Sequence, residues 1–414
     1  MLKFEKFTLP NGLKVIVHKD ATTPLVAFNL LYDVGARDEN PEKTGFAHLF
    51  EHLMFEGSKN IPDYDTPLQK AGGENNAFTN NNFTNYYITI PKDNLETAFW
   101  LESDRMLELA LTQEKLEVQK KVVIEEFKQR YLNQPYGDWN LLLRPMAYKV
   151  HPYMWPTIGK EISHIENAQL SDVKEFFFKH YAPNNAILTI AGNVSTEEIK
   201  QLTEKWFGDI PKRETAERNL PAEPEQTEYR FAKVERNVPV DAIFMAFHMC
   251  DRLSDDYYTT DLISDILSNG KSARLNQRLV KEKKLFSKIN AYITGDIDPG
   301  LFIVTGNINS GISFEQAQNA IRTELNEIMN TLVDTEELTK VQNKVEANLV
   351  YSEVNVLNKA MNLAYFELLG DANLINKEAD SYRKVTPEQI NTVAKKLFKH
   401  ENCSELHYTK LVES

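Results

Sequence analysis

The sequence predicts an α+β fold in two domains, on three observations. Strand-like runs come several in succession and mixed with long helical periods, a polar Pro-bearing seam divides the chain near its middle, and a similar order of elements returns beyond it. Leu13–Val17, Leu25–Tyr32, Tyr86–Ile90 and Ala186–Ala191 are short apolar or alternating runs, each read as a strand. Gly45 to Phe55 reads as a helix. It has no Pro and no Gly after Gly45, gains apolar support from Leu49, Phe50, Leu53, Met54 and Phe55, and meets Gly57 as a stop. Thr112 to Arg130 is a longer helix with Leu116, Val122, Val123 and Phe127 among its apolar positions. Pro211 to Thr227 is polar, holds three prolines and shows no apolar period, so it reads as a linker between domains spanning 1–210 and 228–414. After it come a strand at Ala242–Phe247, a helix at Thr259–Leu267, a strand at Leu301–Gly306 and helices from Ser313 and Thr335. This order suits a mixed, largely antiparallel sheet with helices against one face.

At 414 residues the chain exceeds the reach of a single core, which agrees with two domains. Its 42% apolar and 26% charged residues are ordinary globular material. No run approaches the ~18 apolar residues of a membrane span, and Met1–Phe7 lacks the apolar core of a signal peptide. The expected location is cytoplasmic, or periplasmic if a leader has been removed. Cys250 and Cys403 stand far apart without a CxxC pattern, so neither a disulfide framework nor a thiolate metal site is indicated. A formal charge of −13 argues against nucleic acid as a partner, since phosphate binding needs a concentrated positive surface. The same charge fits either a merely soluble surface or an acidic lining that draws Lys- or Arg-rich peptides.

Chemistry concentrates at His48-Leu49-Phe50-Glu51-His52. Two imidazoles one helical turn apart share a face and can reach one metal, while Glu51 projects to the same side without having to be a ligand. This is the inverted form of the His-Glu-x-x-His zinc motif. A catalytic zinc needs a third protein ligand and an open position for water. Glu125 and Glu126 offer candidates near the centre of the Thr112–Arg130 helix, and since consecutive residues face about 100° apart only one of them can point at the metal. Further on, Gly72-Gly73 followed by Asn76-Ala77-Phe78-Thr79 reads as a turn entering a strand. There Asn76 either contacts a ligand or, with Asn75, satisfies the turn backbone. The remaining histidines have no partner at ligand spacing.

These motifs together resemble the pitrilysin, insulysin and mitochondrial processing peptidase family of zinc proteases, and its short bacterial members most. Val34-Gly35-Ala36-Arg37-Asp38-Glu39 leading into Gly45–Ser58, and Gly72–Thr79, follow the family's signature almost position by position. The resemblance implies one zinc per chain held by His48, His52 and Glu126, with Glu51 as general base. It implies a peptide paired along the Asn76, Ala77, Phe78, Thr79 edge, and two homologous domains folded into a clam-like half-chamber. It also makes credible an internal duplication in which Val118–Val122 recurs as Val341–Val345 and His48–Leu53 falls opposite Asp261–Ile266. The second copy lacks the zinc residues, and Asp261 and Asp265 read there as the polar side of a surface helix.

Two departures stand out. Where family members often carry an acidic residue two turns before the ligand Glu, this chain has Gln119, which is either a hydrogen-bonding residue of the second shell or a solvated helix position. Self-sufficient members bear an Arg and, seven residues on, a Tyr that orient substrate and stabilise the oxyanion; here those positions align as Val280 and Ser287. Neither can do that work. The expected function is therefore a zinc endopeptidase completed by a homologous zinc-free partner subunit in a heterodimer, or acting as a homodimer. The other reading is a non-catalytic scaffold subunit of the same family.

Overall fold

A computed structural model describes residues 1–215 and 218–411. Positions 216 and 217 of the expected linker, and 412–414 of the expected second domain, lie outside the described residues. The chain forms two compact units, and they differ from contiguous halves. The first comprises Met1–Phe127, Trp155–Leu220 and Leu349–Lys377; the second comprises Lys128–Met154, Pro221–Asn348 and Glu378–Ser414. The main crossing falls inside the expected 211–227 linker, but each half of the sequence also gives a segment to the other unit.

The first unit holds a six-stranded sheet built from β1 (Glu5–Thr8), β2 (Lys14–Lys19), β3 (Leu25–Tyr32), β4 (Glu74–Thr79), β5 (Thr84–Pro91) and β6 (Ala186–Gly192), in the order β1-β2-β6-β3-β5-β4. Only β2 and β6 run parallel. The second unit holds a five-stranded sheet, β7 (Arg230–Arg236), β8 (Ala242–His248), β9 (Phe286–Ile293), β10 (Leu301–Ile308) and β11 (Cys403–Lys410), in the order β7-β11-β8-β10-β9, with β7 and β11 parallel. Strands β4 and β9 are therefore sheet edges.

Six helices matter below: α1 (Phe46–Leu53), α2 (Leu95–Leu107), α3 (Gln113–Phe127), α4 (Trp139–Ala147), α5 (Tyr257–Ser268) and α6 (Val356–Leu368). One face of the first sheet buries Phe28 edge-to-face against Phe99 of α2. The other face is not bare. Helix α6, from the second half of the sequence, lies on it, with Ala360 against Ala27 and Ala191, and Leu363 and Ala364 against Ile16, Leu31 and Ile187. The small alanines let helix and sheet approach closely, and Lys359 donates to Asp20 at 2.6 Å at the margin of this contact. That ammonium holds the Asp20 carboxyl well below the usual range. In the second unit α4, from the first half of the sequence, covers the equivalent kind of face, with Leu143 and Ala147 against Ala242, Ala246, Ile303 and Leu406.

Beside the α1 region sits a buried ion pair. Arg105 on α2 makes two 2.6 Å hydrogen bonds to Glu102, which also accepts from the Tyr64 hydroxyl, and the guanidinium lies over the rings of Phe55, Tyr64 and Tyr86. Removing one partner leaves an uncompensated charge in the core. Glu102→Ala is expected to destabilise the first unit by about 3–5 kcal/mol, read as a lowered urea midpoint; an unchanged midpoint would mean that the pair is not buried as described.

Candidate metal centre

Helix α1 starts at Gly45, whose φ of 85° is left-handed and whose missing side chain matters, because a Cβ there would stand 2.6 Å from the Ile158 carbonyl oxygen. The first-turn N–H groups are met by the buried Glu39 carboxylate, which accepts from Gly45 at 2.9 Å and Ala47 at 2.8 Å. Trp155 Nε1 donates to the same group. Burial pushes the Glu39 carboxyl up to about 8, against the pull of these donors. Phe46, Leu49, Phe50 and Leu53 bury the inner side of the helix, which leaves His48 and His52 on the opposite, half-buried side. The helix ends at Leu53, short of Phe55, and Gly57 follows in a turn rather than at the last helical residue.

Helix α3 brings Glu126 to the same point. Its Oε2 lies 3.5 Å from His48 Nε2 and 3.6 Å from His52 Nε2, and one ligand atom from each of the three residues lies within 4.8 Å of the others. Tetrahedral zinc with bonds of about 2.0–2.1 Å sets its ligand atoms roughly 3.3–3.5 Å apart. The spacing fits, and two imidazoles with one carboxylate is a donor set that zinc takes. Side-chain exposures of 13%, 25% and 17% for His48, His52 and Glu126 leave the cluster open to water on one side. Glu125 is exposed. Of the two consecutive acids, the helix turn therefore gives the metal-facing position to Glu126.

Glu51 is outside this trio and is held differently. Thr79 Oγ1, at the end of β4, donates to Glu51 Oε2 at 2.6 Å. The edge strand and the acid are thus tied together. Along β4, Asn76 and Phe78 are exposed while Ala77 and Thr79 are half-buried, so the strand alternates as a sheet edge should. Asn76 Oδ1 accepts from the Ala77 N–H at 2.8 Å, and β4 pairs only with β5 among the described strands.

The Gln119 side chain is half-buried, and its Nε2 donates to Glu56 at 2.5 Å. Lys115 Nζ reaches the Glu56 carbonyl oxygen at 2.6 Å. Glu56 was not singled out from the sequence, and the turn after α1 that carries it gave no periodic signal. Val280 lies in a π-helical turn (Asn276–Glu282), and Ser287 sits at the irregular start of β9 with its hydroxyl 3.3 Å from the Asn307 carbonyl oxygen. Asp261 and Asp265 do not form the polar side of a surface helix. Most of α5 is buried, Asp261 accepts from the Tyr382 hydroxyl at 2.6 Å, and burial pushes its carboxyl up to about 6. Among the described residues no helix is long and apolar enough to cross a membrane.

Comparison with known proteins follows the same lines. Residues 14–142 match the insulinase (peptidase family M16) model and residues 167–345 the peptidase M16 inactive-domain model. The zinc protease PqqE of Helicobacter pylori is 30% identical over 356 residues, covering 84% of this chain and 80% of that protein. A probable mitochondrial-processing peptidase subunit beta of Schizosaccharomyces pombe is 27% identical over 74% of this chain and 70% of its own length. The crystal structure of a protease from Helicobacter pylori superposes with a TM-score of 0.93 at 27% identity, covering 99% of this chain and 100% of that one. On the match of both models and of relatives named as zinc proteases, the chain belongs to the insulinase family, peptidase family M16.

Proposed function

We propose that this chain is a zinc-dependent endopeptidase acting on peptides or unfolded segments, with one zinc per chain held by His48, His52 and Glu126. The observation that carries the reading is Glu51, a carboxylate beside two convergent imidazoles and hydrogen-bonded to the end of an edge strand. Zinc, when bound by such a set, supplies a Lewis acid for the scissile carbonyl and lowers the pKa of its water to roughly 7. Glu51 takes up a proton from the attacking water and delivers it to the leaving amine. Thr79 fixes which way the Glu51 carboxylate faces. The exposed edge of β4 offers main-chain hydrogen bonds to an extended peptide without demanding a sequence, with Asn76, Ala77, Phe78 and Thr79 lining it.

Val280 and Ser287 carry the second half of the proposal. With no guanidinium and no phenol at those positions, a homologous zinc-free subunit bearing the Arg and Tyr supplies the oxyanion donors. Losing one preorganised donor costs on the order of a hundredfold or more in rate. The expected result is slow turnover of an unstructured peptide of about twenty to thirty residues by the purified chain, rising by about a hundredfold or more when that subunit is added. Robust cleavage by the chain alone, unchanged on addition, would overturn the partner requirement. Zinc content measured on the same sample tests the metal separately, and self-association does not bear on either result.

A further inference from the structure

We infer that the β9–β10 margin of the second sheet is a binding groove for an acidic side chain of a peptide. The inference rests on the reading of the substrate as a peptide. Helix α4 covers β11, β8 and the Leu301–Ile303 end of β10 on this sheet face, and leaves β9 and the Thr305–Asn307 end of β10 facing an open cavity. Register places Lys288 opposite Asn307 and Asn290 opposite Thr305, and Thr305 in turn opposite Phe244. These side chains share one face. The uncovered margin is thus polar and cationic where the covered part is apolar.

An opposite wall comes from the turn into which α3 runs and the loop after it, with Arg130, Tyr131, Tyr136 and Trp139. Between wall and sheet lies an open cavity of ≈ 650 Å³. The wall is built rather than loose. Tyr136 takes a left-handed φ of 62°, costly for an aromatic residue, and is anchored there by its hydroxyl donating to the Val240 carbonyl oxygen at 2.7 Å. Gly137 packs so closely that a Cβ would stand 2.7 Å from the carbonyl oxygens of Arg130 and Tyr131. Trp139 stacks on Phe244 with ring centroids 5.3 Å apart, closing the inner end with aromatic surface.

Charge decides the occupant. In a chain of net charge −13, no carboxylate is among the described residues lining this cavity, while the exposed Lys288 is. Of the nearby carboxylates, Asp138 is engaged by Arg236 and by the Tyr408 hydroxyl, and Asp241, which acts on Tyr136, accepts from the Lys410 N–H. The Asn290 amide and the Thr305 hydroxyl add neutral donors for a carboxylate, while the Asn307 amide is turned to the Tyr136 hydroxyl. Because the cavity is an open groove, a chain can run through it, so an acidic side chain beside an aromatic one fits without a free terminus.

The test uses the full chain carrying Glu51→Gln and loaded with zinc, so that peptides bind without depending on turnover. Peptides of about twenty Gly, Ser and Gln residues, each with a neutral fluorophore, carry one Phe-Glu or one Phe-Gln pair, with the C-terminus free or amidated. Anisotropy at low ionic strength is expected to show the Phe-Glu peptide binding about two- to fivefold tighter than its Gln isostere. Lys288→Gln should abolish the difference, and Asn290→Asp should reverse it by placing a carboxylate in the groove. Unchanged urea midpoints would show that both variants fold. Equal binding of the two peptides, a preference that survives both substitutions, or one that follows the terminal carboxylate instead would overturn the inference. A failure here leaves the peptidase reading standing, and absence of cleavage by the native chain leaves this binding measurement valid.

Discussion

Glu51→Gln is expected to keep about one zinc per chain and to lose peptide turnover by roughly 10²–10⁴-fold, the range over which a positioned acid–base group acts. The amide preserves the side chain's shape, and its oxygen can still accept from Thr79 Oγ1, so the tie to β4 survives. What it cannot do is take the proton from water. The contrast is Glu126→Gln, which lies 3.5 and 3.6 Å from the two imidazoles and should weaken zinc retention instead. Metal analysis and turnover on the same preparations separate the two acids. Cleavage by Glu51→Gln at the native rate would show that it is not the base.

The double variant His48→Ala, His52→Ala is expected to hold essentially no zinc and yet remain folded. The two imidazoles lie on the half-exposed side of α1, while Phe46, Leu49, Phe50 and Leu53 anchor its other side in the core and Glu39 still caps its first turn. Neither imidazole belongs to the core-facing side of α1, so trimming them forfeits little core packing, and the metal-free unfolding midpoints of native and variant chains should lie close together. Full zinc occupancy in the double variant would sink the metal assignment.

Much of this site was legible because its chemistry is local. Residues four apart on a helix must share a face, so His48 and His52 announce a two-pronged site before any fold is known. The choice between Glu125 and Glu126 was not legible from helical geometry, since it depends on how α3 is rotated about its axis against α1; the family resemblance supplied it. Strands with clear apolar runs, such as β3 at Leu25–Tyr32, were bounded correctly by the residues alone. The partners of α4 and α6 were hidden for a different reason. An apolar stripe such as Val356, Ala360, Leu363 and Ala364 says that a helix must be covered, and nothing in the stripe says by which sheet. The Lys359–Asp20 pair joins residues from opposite ends of the chain, beyond the reach of any periodicity. The groove beside β9 was invisible likewise, because Lys288, Asn290, Thr305 and Asn307 become neighbours only through strand pairing.

The exchange of α4 and α6 between the two units makes the polypeptide behave like a mutual pledge. Neither half of the sequence carries the means to seal its own sheet: residues 1–210 without α6 leave Ala27, Ala191, Ile16 and Leu31 open to water, and residues 228–414 without α4 do the same to Ala242, Phe244 and Ile303. A single cut within 211–227 therefore yields two fragments that still hold each other's missing piece, and they should travel together until denatured. Either fragment produced alone would expose an oily sheet and aggregate.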